Sequence, residues 1–233
     1  MSIPIHFAPL QGYTDDVYRR IHHTLVGGIN TYYTPFLRME GGSVRSKDMR
    51  DIRPEFNNDI PVVPQIILKS MKEFEFLTGV VQEKGYTRID INMGCPFPMQ
   101  AKHGRGSGLL SKVNIIEEMA QEIARKTHLK FSVKMRLGWE NKDEWRPVLE
   151  ILNQIPLEQI TIHPRIGVQQ YKGEVWMEAF DEFYSLCKHP MIYNGDVTSV
   201  EGIRTLESMY PKLAGVMIGR GLLARPTLAM EYA

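Results

Sequence analysis

The feature that most constrains this chain is a rhythm of short apolar runs, polar or glycine-rich loops and amphipathic stretches. The apolar runs fall at residues 5–10, 29–35, 62–68, 87–92, 131–136, 158–163, 190–194 and 214–218. Helical patterns lie near 14–24, 70–84, 112–127, 143–154, 176–187 and 199–208. The clearest is 112–127, with Ile115, Ile116, Met119, Ile123 and Ala124 on one face. Residues 36–61, with Gly41-Gly42-Ser43 and Arg53-Pro54, predict a long irregular loop instead of a crossover helix. Strands separated by helices pair in parallel through right-handed crossovers, and eight such units predict an α/β fold, the (β/α)8 TIM barrel. An open doubly wound sheet would want a glycine-rich dinucleotide turn after its first strand. Ala8-Pro9-Leu10-Gln11-Gly12 stands there instead. Only residues 219–233 follow the last run, so either the chain is shortened or the barrel is completed in another way.

A chain of 233 residues suits one barrel domain over 1–233. Its two cysteines, Cys95 and Cys187, make no disulfide framework, which predicts a reducing, cytoplasmic setting. The start lacks the basic and apolar segments of a signal peptide, and no apolar run is long enough to predict a membrane span. No C-x-x-C or H-E-x-x-H spacing occurs, so no metal is expected. A net charge of +1 argues against a general nucleic-acid binder. Yet residues 38–53, 95–112, 134–138 and 163–172, all following predicted strands, are each net positive. If those loops share one face, that face can hold a polyanion.

Chemistry in such a barrel collects at the carboxyl ends of the strands. Asn92-Met93-Gly94-Cys95-Pro96 puts a thiol on a sharp turn after the fourth run, followed by a basic loop containing Lys102, His103 and Arg105. Reactive thiols sit in such electropositive, accessible places, whereas a structural cysteine points into a core. Lys134 and His163 end the fifth and sixth runs. A lysine among strand residues is costly unless its ammonium meets an anion or a cavity. Gln65 is a polar residue in an apolar run. It hydrogen-bonds either a polar ring edge or a buried backbone group. After the seventh and eighth runs come Asn194-Gly195-Asp196 and Gly219-Arg220-Gly221. Phosphates bind at those two loops of a barrel, with backbone N–H groups and a forked arginine as donors.

These motifs, with Val133-Lys134-Met135-Arg136 and His163-Pro164-Arg165, resemble the tRNA-dihydrouridine synthase family in that family's order, over about residues 5–225. The resemblance implies an FMN-dependent TIM barrel that reduces uridine in tRNA to 5,6-dihydrouridine, with NADPH as reductant. It implies that Pro9, Leu10 and Gln11 line the flavin and that Gln65, Lys134 and His163 hold its ring. Asn194, Gly195, Asp196, Gly219 and Arg220 would hold the ribityl chain and phosphate. Cys95 matches the family's proton donor and Asn92 its neighbour at the flavin and uracil. Lys102, Arg105, Arg136, Arg165 and Lys172 are the cations expected to meet tRNA.

Three places depart from the family pattern. No helical C-terminal tRNA-binding domain is expected within this chain, which predicts weak, salt-sensitive tRNA binding. His163-Pro164-Arg165-Ile166 replaces the commoner His-x-Arg-Thr, and Gly221-Leu222-Leu223-Ala224-Arg225-Pro226 lacks an Asn-Pro-Trp-like continuation. Two rivals stand beside this reading. One is an FMN barrel acting on a small pyrimidine or activated alkene; the other is a catalytically silent RNA-binding barrel. The sequence does not decide the oligomeric state.

Overall fold

The computed structural model describes residues 2–233. Eight strands follow one another around the barrel: β1 (Ile5–Phe7), β2 (Thr31–Tyr33), β3 (Val62–Val63 and Gln65–Ile66), β4 (Arg88–Met93), β5 (Lys130–Gly138), β6 (Gln159–Ile166), β7 (Met191–Asn194) and β8 (Leu213–Ile218). All adjacent pairs are parallel, and β8 returns to β1 through Ile5, His6 and Phe7 against Val216, Met217 and Ile218. Pro64 breaks β3 into two halves because it has no N–H for the ladder. The first half pairs with Tyr32 and Tyr33, the second with Asp90 and Ile91. Pro64 still accepts from the Asp90 N–H at 2.9 Å, so the barrel closes across the break.

Helices Asp16–Leu25, Met71–Glu83, Val113–Arg125, Trp145–Leu152, Met177–Leu186 and Val200–Met209 cover the outside. Asp15, Ser70 and Ser199 accept from backbone N–H groups at three of their starts and so fix where those helices begin. In Val113–Arg125 the face turned to the strands is Ile116, Met119, Ala120 and Ile123. Ala124, expected on that face, is exposed. Residues 36–61 are less irregular than expected: they form a small hairpin, Met39–Glu40 with Ser43–Val44, and the short helices Ser46–Asp51 and Pro54–Asn57.

Two short helices, Arg220–Ala224 and Leu228–Tyr232, occupy the eighth helical position. Leu228, Ala229 and Tyr232 are buried. The Tyr232 hydroxyl accepts from the Ile3 N–H at 2.9 Å, and His22 Nε2 donates to the Pro226 carbonyl at 3.0 Å. Gly28, at φ 74°, has no room for a side chain, since a Cβ there would lie 3.0 Å from the Met230 backbone. The barrel is therefore completed without a full eighth helix. No separate helical domain follows it among the described residues. None of their helices is long and apolar enough to cross a membrane.

Candidate active site

Strands β4 to β6 alternate strictly. Ile89, Ile91, Met93, Phe131, Val133, Met135, Ile160 and Ile162 join the core under the helices. The intervening Asp90, Asn92, Ser132, Lys134, Arg136, His163 and Arg165 turn inward, where hydrogen bonds and a cavity meet them. Across the barrel, Ala8, Tyr33, Val63, Ile192 and Met217 form a small apolar cluster. The barrel floor is thus half polar and half apolar, unlike the branched aliphatic filling usual in this fold. Above it lies a cavity of about 1330 Å³. That exceeds the roughly 300–1,000 Å³ of a site for one drug-sized ligand, leaving room for two ring systems. Of the site residues predicted from sequence, all line this cavity except Gln65, Lys102, Arg105 and Lys172.

Cys95 reaches the cavity because Asn92 builds its turn. Asn92 Oδ1 accepts from the N–H groups of Gly94 at 3.0 Å and Cys95 at 2.8 Å, an Asx turn that aims the thiol upward. The Cys95 carbonyl accepts from the Ser107 N–H at 3.1 Å and its hydroxyl at 2.9 Å. Gly106, at φ 58°, lies so close that a Cβ would meet Cys95 Cβ at 2.7 Å. Cys95 is half-buried. Burial pushes its thiol pKa up, against the pull of Arg136 and Lys134. The thiol therefore keeps its proton at neutral pH and suits an acid better than a nucleophile.

The neighbouring wall, on β5 and β6, is cationic. Lys134 makes no hydrogen bond or ion pair among the described residues, and burial followed by the nearby Arg136 pushes its pKa down to about 8. Arg136 donates to the Ile166 carbonyl at 2.9 Å and has no carboxylate partner among the described residues. His163 Nε2 accepts from Arg165 at 3.1 Å. Burial and the surrounding cations hold its pKa well below the ordinary value, so the ring is neutral with its proton on Nδ1. Arg165, 1% exposed, is forked onto Asp196 at 3.0 and 2.5 Å and also donates to the Gly173 carbonyl. Arg220 takes the same carboxylate at 2.7 Å.

The loops after β7 and β8 meet at this wall. Among the described residues, the backbone N–H groups of Gly195, Asp196, Gly219, Arg220 and Gly221 donate to no backbone or side-chain acceptor. All five residues line the cavity. Gly221 cannot carry a side chain, because a Cβ would lie 2.1 Å from the Val197 carbonyl. Unpartnered N–H groups beside Arg220 make a donor set that fits a phosphate. With the apolar half-floor and an unpaired Lys134, the residues present fit an anionic, planar, phosphorylated group such as FMN.

Three expectations need correction. Arg105 is not free for phosphate: it forks onto the buried Glu73 at 3.1 and 2.5 Å and anchors the loop over Cys95. Arg165 is likewise spent on Asp196, and its depth keeps it from a polyanion on the surface. Gln65 is fully buried and its amide is taken by Asp90 and Asn92, at 2.7 Å each. Elsewhere in the positive windows Arg45 pairs with Asp48 and Arg50 with Asp16. Lys102 and Lys172 remain exposed. Tyr171 was missed: Arg136 and Arg220 lie over its ring at 5.5 and 4.7 Å. It sits in an irregular loop, and nothing in its neighbours' sequence marks it.

The dihydrouridine synthase family model matches residues 6–233. A Bacillus subtilis protein named probable tRNA-dihydrouridine synthase 2 is 30% identical over 94% of this chain and 69% of its own length. A tRNA-dihydrouridine(16) synthase of Pseudomonas syringae is 28% identical over 98% of this chain and 74% of its own. Among solved structures, a variant of NCR from Zymomonas mobilis superimposes with a TM-score of 0.65 at 10% identity, covering 98% of this chain and 85% of its own. A GH18 chitinase from Pseudoalteromonas aurantia gives 0.64 at 11%, covering 99% and 98%. These two likenesses are of fold alone.

Proposed function

The chain belongs to the dihydrouridine synthase family, and on that premise we propose that it reduces uridine in tRNA to 5,6-dihydrouridine, with FMN in the cavity, NADPH as reductant and Cys95 as proton donor. The observation that carries this reading is the meeting, in one cavity, of a protonated half-buried thiol and Lys134, which makes no hydrogen bond or ion pair among the described residues. When bound, FMN supplies the redox step that delivers a hydride to the uracil ring. The remaining work falls to the chain. Lys134 stabilises negative charge on the flavin ring electrostatically. Neutral His163 offers its Nδ1 proton, while Pro9, Leu10 and Gln11 line the cavity after β1. Gly195, Asp196, Gly219 and Arg220 hold the phosphate, with Asn194 pinned to the Met217 carbonyl at 2.8 Å. The Cys95 Sγ proton goes to C5 of uracil. Asn92 and Arg136, both lining the cavity, orient the base.

Residues 1–233 on this reading are the catalytic barrel. A uridine stacked in tRNA must leave its stack to reach this floor, at a cost of about a few kcal/mol. Lys102 and Lys172 are the exposed cations left to meet tRNA phosphates, with Arg136 deeper, at the base. So few contacts make binding weak, and it weakens further as salt rises.

Acid treatment of the purified protein is expected to release FMN and not FAD, since only one phosphate site is built. Arg220→Ala should weaken FMN retention by about 1.5–3 kcal/mol, the scale of a hydrogen bond to a charged group. FAD in the extract, or undiminished retention, sinks the cofactor assignment.

Lys134 gives a pH signature. Its ammonium, with a folded pKa of about 8, is lost as pH rises through that value. FMN affinity of the apoprotein should therefore fall about tenfold between pH 7 and 9, with Lys134→Met flattening the profile. Stability of the ligand-free fold should move the other way. Between pH 8 and the ordinary lysine value the unfolded chain binds the proton more readily, so stability rises with pH. Flavin fluorescence titration and urea unfolding across that range measure the two slopes, and parallel slopes would remove Lys134 from the site.

A further inference from the structure

Beneath the cavity floor runs a chain of hydrogen bonds that the reaction as described does not use. Asp90, fully buried, accepts from the Ser132 hydroxyl at 2.6 Å and from Gln65 Nε2 at 2.7 Å. Gln65 Oε1 accepts from Asn92 Nδ2 at 2.7 Å. Asn92 Oδ1 accepts from the Cys95 N–H at 2.8 Å. The two ends favour the same direction. An ionised carboxylate only accepts, so Gln65 must turn its amide nitrogen down and its oxygen up. The N–H groups of Gly94 and Cys95 only donate, so Asn92 must turn its oxygen toward them. The two demands agree through both amides, without one mismatched pair.

We propose that Asp90 is a positioning residue for Cys95, setting the orientation of the Gln65 and Asn92 side chains and through them the turn that aims the thiol at the cavity. This rests on the reading of Cys95 as proton donor. A buried carboxylate is a costly choice for a merely structural anchor, and burial raises its pKa to about 6. A neutral amide could satisfy the same two neighbours. Besides its attraction for Lys134 and Arg88, a carboxylate adds that it cannot donate, which disfavours the flipped arrangement from the lower end. In that arrangement Asn92 would present its amide nitrogen to the Gly94 and Cys95 N–H groups and the turn would open.

The test compares Asp90→Asn with the exchange Asp90→Asn/Gln65→Glu. In the exchange the carboxylate moves one link up the chain, to position 65. There it accepts from the amide newly placed at position 90 below and from Asn92 above, so direction is again fixed by a group that cannot donate. Both variants keep side-chain volume, and Asp90→Asn removes a buried charge, so folding is favoured. The readout is the rate of N-ethylmaleimide addition to each cysteine, followed by peptide mass spectrometry. Cys187, half-buried at the end of helix Met177–Leu186, serves as the internal reporter of general loosening. Asp90→Asn should speed alkylation of Cys95 by about tenfold, the worth of a charge-assisted over a neutral bond, with Cys187 unchanged. The exchange should return Cys95 to within about twofold of the parent. An unchanged Cys95 in Asp90→Asn, equal acceleration of both cysteines, or no recovery in the exchange overturns the proposal. Alkylation requires no uridine reduction, so failure of the proposed activity would be seen separately, in the turnover of the parent protein.

Discussion

Cys95→Ala is expected to lower dihydrouridine formation by about 10²–10⁴-fold, the span of a general acid, while FMN content and NADPH oxidation stay near those of the parent. The separation follows from geometry. Cys95 stands on the turn built by Asn92, whereas the phosphate donors stand on the loops after β7 and β8, across the cavity. Removing one sulfur leaves the Asx turn intact, because Asn92 bonds the backbone of residue 95 and not its side chain. Cys187→Ala should be kinetically silent, since its sulfur reaches only the His189 carbonyl at 3.7 Å. Equal losses at both cysteines would make the thiol effect structural.

Asp196→Ala is expected to destabilise the fold by about 3 kcal/mol at pH 7, the lower end of the cost of orphaning a buried charge. Arg165 is the group orphaned: it is 1% exposed and its Nε–H already lacks a partner. The lower end applies because the Asp196 side chain is 42% exposed and its attraction is screened. Asp196 also holds φ 47°, a left-handed backbone that asparagine tolerates better than alanine. Asp196→Asn should therefore cost less. The sign with pH is set by Arg165, whose hydrogen bonds hold the Asp196 carboxyl below its usual range. Its stabilisation is present above the unfolded carboxyl value and is lost as pH falls through the folded one. The gap between parent and Asp196→Ala should narrow as pH falls below about 4. Urea unfolding at pH 7 and pH 3 measures this gap. Equal stability at pH 7 would mean that Arg165 does not depend on Asp196.

The barrel was legible because strand and helix periods alternate from residue 5 to residue 218, interrupted only at residues 36–61. The cavity residues were legible for a related reason. Cys95 and Asp196 follow strand ends, where a closed parallel barrel gathers chemistry, while Lys134 and His163 are inward-facing residues within β5 and β6, which run on to Gly138 and Ile166. Partnership was not legible. A net-positive window counts charges along the chain, but Glu73, 32 residues away, pairs with Arg105 through the fold. Asp196 does the same to Arg165 from 31 residues away. The role of Asp90 had a signal that went unused. In Arg88-Ile89-Asp90-Ile91-Asn92 the aspartate has the same parity as Asn92, so both had to face the barrel interior. Gln65 was a polar residue of two possible uses, and only its packing against Asp90 and Asn92 chose between them.

The most direct measurement incubates the FMN-loaded protein with NADPH and unmodified tRNA transcript and reads uridine mass nucleotide by nucleotide. A gain of two hydrogens at a defined uridine, lost in Cys95→Ala, is the expected result. NADPH oxidation by a flavin-bearing protein that leaves every uridine unchanged contradicts it, and would return the cavity to a smaller substrate.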